Sequence, residues 1–153
     1  MRYFKKHWYD NDKKAEKTLK TYNHHIQKML CSDHDILLHI YARKLIFHDA
    51  VIHMVKLKKD ILKIKFLLGD NELGYFKCSI EFKCLATNAA DFNILPIEIL
   101  YDETFDTTRG YRTNFLLLNN KELFVEFLKI NKNLLKNNKF QYLCQLKKYL
   151  QNE

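Results

Sequence analysis

Glycine, proline and arginine are scarce in this chain, and each shortage excludes something. Only three glycines and one proline occur in 153 residues, which excludes collagen-like repeats and low-complexity disorder. Gly69, Gly74 and Gly110 are too scattered to form a phosphate-binding loop. Because no run of about 18 apolar residues exists, the sequence predicts no transmembrane helix and no membrane partner.

Cysteine is also sparse, with four residues and no CxxC spacing. The opening MRYFKKHWYD has no apolar core of a secretory signal, so we expect a cytoplasmic protein with reduced thiols. Cys78 and Cys84 alternate with isoleucine and phenylalanine, which predicts buried thiols rather than metal ligands. We expect neither a metal ion nor another cofactor.

What the chain does contain is enough apolar material for one core. It is 47% hydrophobic and 14% aromatic, and its length suits a single domain. The net charge of +8 is distributed unevenly, with +8 in residues 1–65, −4 in 66–115 and +4 in 116–153. Lysines make up 22 of the 26 basic residues, which is typical of solvated faces rather than of bidentate recognition by arginine.

Apolar spacings of three and four near both ends predict helices. Asp12 is a candidate N-cap for the first helix, and Ser32 or Asp33 for the second. The predicted helices cover residues 12–30, 34–46 and 139–151.

Between these helices the apolar residues alternate with a period of about two, which is the period of strands. Pro96 places its strand at an edge or a bulge. Helical spacing is an alternative for 121–130, but Asn119 and Asn120 favour a hairpin turn and therefore a strand. Residues 86–93 and 102–110 are predicted loops. The predicted strands cover residues 50–57, 61–68, 76–84, 94–101, 111–118 and 121–130.

This order of elements predicts an α+β fold. N-terminal helices in residues 1–46 pack on an antiparallel meander sheet of about six strands in residues 50–130. A C-terminal helix over 139–151 completes the single domain.

Histidines crowd the first third of the chain, from His7 to His53, but their spacings from His34 onward do not match the i,i+4 pattern of helical metal ligands. The sharpest local feature is His48 followed by Asp49, at the junction of helix and sheet. The pair either acts as an acid/base or ligand pair or has a structural role that stabilises the junction of helix and sheet. The side chains of adjacent residues diverge in extended backbone, which favours the structural role.

The polar segment 102–110 and the residues after it are the first candidate for a partner contact. The segment lacks the EF-hand pattern of calcium ligands. Arginine and tyrosine are favoured anchors of protein interfaces. The candidate contact residues are Asp106, Arg109, Tyr111 and Arg112.

Two short phrases carry a family resemblance. They are the opening residues 1–9, MRYFKKHWY, and the tetrapeptide Phe47-His48-Asp49-Ala50 before a strand. Together they resemble a group of uncharacterised bacterial proteins, which form a domain of unknown function with an M-K-Y-F-x-x-x-W-Y opening and a strand meander. The resemblance implies a bacterial cytoplasmic α+β protein and transfers no catalytic residue.

Three functional hypotheses follow. The leading one is a non-enzymatic protein-interaction domain, for example an immunity-type protein that neutralises a toxin. The second is an enzyme centred on His48 and Asp49, with or without a metal. The third is nucleic-acid binding through the first helix, where Lys13, Lys17 and Lys20 form a basic stripe.

Overall fold

The computed structural model describes residues 1–4, 11–70, 74–91 and 95–131. The predicted C-terminal helix over 139–151 lies outside these residues. The described part contains two helices, six strands and one 3-10 turn at Ala89–Asp91. The elements are α1 (Asp12–Cys31), α2 (Ile36–Lys44), β1 (Val51–Lys58), β2 (Ile61–Asp70), β3 (Gly74–Thr87), β4 (Ile97–Thr107), β5 (Gly110–Leu117) and β6 (Glu122–Ile130).

Both helices begin with a side chain that accepts a hydrogen bond from a free backbone N–H. Asn11 accepts from the backbone N–H of Lys14 at 3.1 Å, and Asp35 accepts from that of Leu37 at 2.9 Å. The predicted caps were therefore wrong by one to three residues. No described helix is both long enough and apolar enough to cross a membrane.

The six antiparallel strands close into a barrel in the order β1-β2-β3-β6-β5-β4. The barrel consists of two three-stranded meanders, β1–β3 and β4–β6. On one side the pairing of β3 with β6 joins them. On the other side a short seam joins β1 to β4, pairing Val51 with Glu98 and Ile52 with Ile97. The predicted α+β class and six-stranded antiparallel sheet are confirmed, and residues 122–130 are a strand as preferred.

The predicted loop 102–110 was wrong. Most of it continues β4, which pairs with β5 as far as Thr107 opposite Gly110. Only Thr108 and Arg109 form the turn, and Gly110 has a φ of 153°, where a Cβ would collide with the carbonyl oxygen of Phe127. Polar residues do not mark a loop here because other parts of the chain cover Glu103 and Thr104, which lie on opposite faces of the strand.

Apolar side chains that alternate along the strands fill the barrel interior. Tyr41 of α2 is buried against this interior, with its ring centroid 5.3 Å from that of Phe47, 5.6 Å from Phe82 and 6.2 Å from Phe127. Helix α2 thus supplies part of the core. The largest fully buried side chains include Phe47, Phe66, Phe82, Phe115, Phe127, Ile52, Leu62, Ile64 and Ile99.

Candidate functional site

The outer face of β4–β6 carries the two arginines that the sequence singled out, Arg109 and Arg112. Strand pairing places Phe105 beside Arg112, and Arg112 beside Glu126. The Arg112 guanidinium lies 4.1 Å above the Phe124 ring, and its Nε donates to the Asn114 side chain at 3.0 Å. We call this surface the arginine face. Its residues are Arg2, Phe105, Arg109, Arg112, Phe124 and Glu126.

The other two arginines of this face are held by one aromatic ring and one carboxylate. The guanidinium of Arg2 lies 3.9 Å above the ring of Phe105, and Arg109 donates to the Glu126 carboxylate at 3.0 Å. A cation over an aromatic face is attracted by the ring quadrupole, and a planar guanidinium also stacks on it. Three cations are therefore positioned on one sheet face before any partner arrives.

Glu103 holds the N-terminal residues across the same face, and sequence analysis missed it. Its buried carboxylate accepts hydrogen bonds from the backbone N–H groups of Arg2 and Tyr3, the latter at 2.7 Å. The Asn114 amide adds a third hydrogen bond at 3.2 Å. Phe4 then packs between helix and sheet, with its ring centroid 4.9 Å from that of Tyr22. A buried carboxylate is tolerated here because several N–H donors surround it.

Tyr111 and Asp106 face the helices instead of the arginine face. The Tyr111 hydroxyl donates to the Asp33 carboxylate, and this hydrogen bond is the main reason why the pKa of Asp33 lies below its usual value. The ring of Tyr111 lies 5.8 Å from Phe127. Asp106 lies 3.8 Å from the His25 ring nitrogen. Both residues contact the helical layer, so Arg109 and Arg112 are the sequence candidates that reach the arginine face.

His48 and Asp49 lie at the short seam between β1 and β4. The His48 ring stacks on Tyr101 at 5.4 Å, and its Nδ1 lies 2.5 Å from the carbonyl oxygen of Leu100. Asp49 has a φ of 61°, and its backbone N–H donates to Ile99. Because this backbone is left-handed and not extended, the two side chains approach to 3.5 Å, and the expectation that they diverge was wrong.

The geometry of this pair suits a structural role at the seam better than proton transfer. A carbonyl oxygen only accepts hydrogen bonds, so Nδ1 of His48 is the protonated nitrogen in the neutral ring. The nitrogen that faces Asp49 then has no proton to donate unless the ring is charged. In a catalytic dyad the carboxylate would instead receive the Nδ1 proton.

A buried polar cluster between the helices and the barrel was also missed. The Tyr41 hydroxyl donates to Thr113 at 3.0 Å, and the hydroxyls of Thr113 and Thr104 lie 2.8 Å apart. Tyr22 accepts from the backbone N–H of Thr104 at 2.8 Å. Asp102 pairs with Phe115 in the same strands, and burial raises its pKa to about 7, although nearby His48 opposes this shift.

This cluster ties helices α1 and α2 to β4 and β5. Burying a hydroxyl without a partner is costly, so the hydrogen bonds between helix and strand select one docking geometry. The sequence contains two signals that could have indicated this cluster. Tyr22 lies on the apolar stripe of α1, and Thr104 and Thr113 lie at inward positions of β4 and β5. Neither signal identifies its partner, because Tyr22 and Thr104 are 82 residues apart.

Neither the cleft beside α2 nor a cluster of metal-binding side chains in the described residues offers a further site. A shallow apolar cleft lies between α2 and the sheet, lined by Leu37, Ile40, Leu45, Ile80 and Ile130, and it is too small for more than about one water molecule. No group of three histidine, cysteine or acidic side chains in the described part could hold a metal ion. Cys78 is buried, as predicted, whereas Cys84, also predicted to be buried, is only half-buried.

Comparison with protein-family models, with curated proteins and with solved structures finds no match to this chain.

Proposed function

We propose that this chain is a non-enzymatic protein-interaction domain, of the type that includes toxin-neutralising immunity proteins, and that it binds its partner through the arginine face. The observation that carries the proposal is the ordering of two arginines on phenylalanine rings of one sheet face. Arginine and aromatic residues are enriched among the residues that dominate binding energy at protein interfaces.

The ordering of the arginines lowers the entropic cost of binding. A free arginine side chain loses rotamer freedom when a partner fixes it, at a cost of roughly 0.5–1.5 kcal/mol. Here Phe124 and Asn114 already hold Arg112, and Glu126 holds Arg109. This face is therefore organised for recognition before the partner arrives.

The expected partner presents carboxylates. Within the described part of the chain Arg112 donates only through Nε, so its two terminal nitrogens have no hydrogen-bond partner there. Such a fork binds a carboxylate in bidentate geometry. The filled barrel interior also favours binding over catalysis, because phenylalanine and aliphatic side chains occupy the space that a substrate would need.

The test is charge reversal on the face. The Arg109→Glu/Arg112→Glu variant is compared with wild type in capture of the native protein partner, followed by calorimetric titration with the purified partner. We expect the dissociation constant to rise at least about tenfold, as for residues that dominate an interface. Circular dichroism should show an unchanged fold.

The matched control is Lys13→Glu/Lys17→Glu, which makes the same change in net charge on the exposed surface of α1. It should leave the affinity within about threefold of wild type, because it alters only long-range attraction, which salt screens. Unchanged affinity in the arginine variant, or equal losses in both variants, would contradict the proposal.

A further inference from the structure

A second charged surface lies on the other half of the barrel. Inward positions of β2 are Leu62, Ile64 and Phe66, so the residues between them point outward. Lysine is the commonest residue at these outward positions in β1–β3. We call the surface the lysine face, and it consists of Lys56, Lys58, Lys63, Lys65, Lys77 and Lys83.

Strand register concentrates positive charge on this face. Lys56 lies directly opposite Lys63, and like charges in this arrangement repel. Alternate residues along a strand are about 6.6 Å apart and neighbouring strands about 4.8 Å apart, so the ammonium groups form a closely spaced array. The array extends over three strands.

Acidic groups neutralise only part of it. Lys63 forms an ion pair with Glu81 at 3.0 Å, and Lys83 forms one with Asp60. No carboxylate among the described residues pairs with the remaining four lysines. Lys56, Lys58 and Lys77 are exposed and Lys65 is half-buried. These four charges repel one another without compensation inside the described part of the chain.

The composition of the face favours nucleic acid over protein as the ligand. Lysine is depleted at protein–protein interfaces, whereas protein–nucleic acid interfaces are strongly positive. Among the outward residues of β1–β3 whose side chains are described, none is arginine, phenylalanine, tyrosine or tryptophan. The neighbours of the lysines include Met54, Ile61 and Ser79. The face thus offers point charges without anchors for a protein partner or for base recognition.

We propose that the lysine face binds the phosphodiester backbone of nucleic acid without sequence preference. The four unpaired lysines contact phosphates and release the counterions condensed on them. The phosphates also remove the repulsion between Lys56 and Lys63. This activity is independent of the arginine face, and its surface differs from the basic stripe of α1.

The test measures fluorescence anisotropy of two labelled probes, a single-stranded oligothymidylate of about 20 nucleotides and a DNA duplex of about 20 base pairs, between about 50 and 200 mM salt. We expect wild type to bind at low salt, with affinity that falls steeply as salt rises. The Lys56→Gln/Lys58→Gln/Lys65→Gln/Lys77→Gln variant should lose at least about tenfold in affinity and show a shallower dependence on salt.

The control removes four positive charges from α1 instead, with Lys13→Gln/Lys14→Gln/Lys17→Gln/Lys28→Gln. It should retain affinity within about threefold, because the contacting lysines remain. If the fourfold variant of the lysine face does not fold, as judged by circular dichroism, the Lys65→Gln/Lys77→Gln variant replaces it, with an expected loss of about threefold or more.

Three outcomes would overturn the proposal. One is no salt-dependent binding of either probe at low salt. Another is an equal loss of affinity in the α1 control, which would mean that net charge alone attracts the probe. The third is competition by polyglutamate as effective as that by unlabelled oligonucleotide, which would make an acidic protein the ligand.

Discussion

The two meanders of this barrel use their outward charges in opposite ways. On β4–β6, arginines stack on phenylalanine rings, and Glu103 is buried beneath the N-terminal residues with three hydrogen bonds. On β1–β3, four lysines have no acidic partner among the described residues. Both halves have the same antiparallel geometry, so the difference comes from side-chain chemistry alone. The paired charges on β4–β6 contribute to stability, whereas four lysine charges on β1–β3 remain available to a ligand.

The largest expected effect is the loss of Glu103. The Glu103→Ala variant leaves the backbone N–H groups of Arg2 and Tyr3 without their acceptor, as well as the Asn114 amide. We expect a fall of about 2–4 kcal/mol in the free energy of unfolding, measured in urea.

The control for the Glu103→Ala variant is a substitution in the other half of the barrel. Lys65→Ala removes a charge from β1–β3 that has no ionic partner among the described residues, and it should change the free energy of unfolding by less than about 0.5 kcal/mol. If the two variants are equally destabilised, outward charges contribute similarly in both halves, and the contrast is wrong.

The next effect depends on pH and on Asp102. Its pKa of about 7 in the folded protein exceeds the unfolded value of roughly 3.9, so the folded state binds the proton more tightly. Its contribution to stability is complete below about pH 4 and is lost as the pH rises toward 7. An asparagine side chain does not ionise, so Asp102→Asn should gain stability relative to wild type between pH 4 and 8, by roughly 1–2 kcal/mol after discounting for partial exposure.

Denaturant melts of both proteins across this range measure the difference, and Asp60→Asn is the matched variant in the other half. The hydrogen bond from Lys83 holds the pKa of Asp60 below its usual value, so its stabilisation is present at neutral pH and is lost as the pH falls. The two variants should therefore show trends of opposite sign. A pH-independent difference between Asp102→Asn and wild type would contradict the burial of Asp102.

The smallest expected effect is a gain. Lys56→Glu places an acid opposite Lys63, so that Lys63 lies between this acid and Glu81, with which it already pairs across β2 and β3. We expect an increase of about 0.2–1 kcal/mol in the free energy of unfolding, measured as a higher urea midpoint.

Lys58→Glu is its control, because Lys58 lies opposite Ile61 and so gains no cross-strand partner. The net charge changes equally in both variants, so only the direct pairing separates them. Equal midpoints for the two variants would show that like charges on this face do not repel significantly.

The strands could be predicted because each has one inward side. In β6, Leu123, Val125 and Phe127 alternate with outward residues, and this period distinguishes the strand from a helix. The prediction failed in β4, where Glu103 and Thr104 face opposite sides and are both buried. Their cover comes from the helical layer and from residues 1–4, and no local pattern indicates contacts with segments so distant in sequence.

The candidate site was predicted in part. Arg109 and Arg112 were identified from residue type, and the structure places both on the arginine face. Their phenylalanine and glutamate partners could not be found, since cross-strand neighbours depend on register. Tyr111 was grouped with them in sequence, yet its side chain points to the opposite side of the same strand, toward Asp33.

By itself the sequence determined the approximate positions of the two described helices and of the strands apart from the second half of β4, which side of most strands is apolar, and that lysine charge concentrates before residue 66. Alternation and composition are local properties of the sequence, so they can be read without knowing which segments lie next to each other in the fold. Only the tertiary structure decided that β1 meets β4, that Lys56 opposes Lys63, and that Glu103 holds the first residues. The reason is that an alternating strand specifies its buried side but not its partner, and barrel closure chooses the partner.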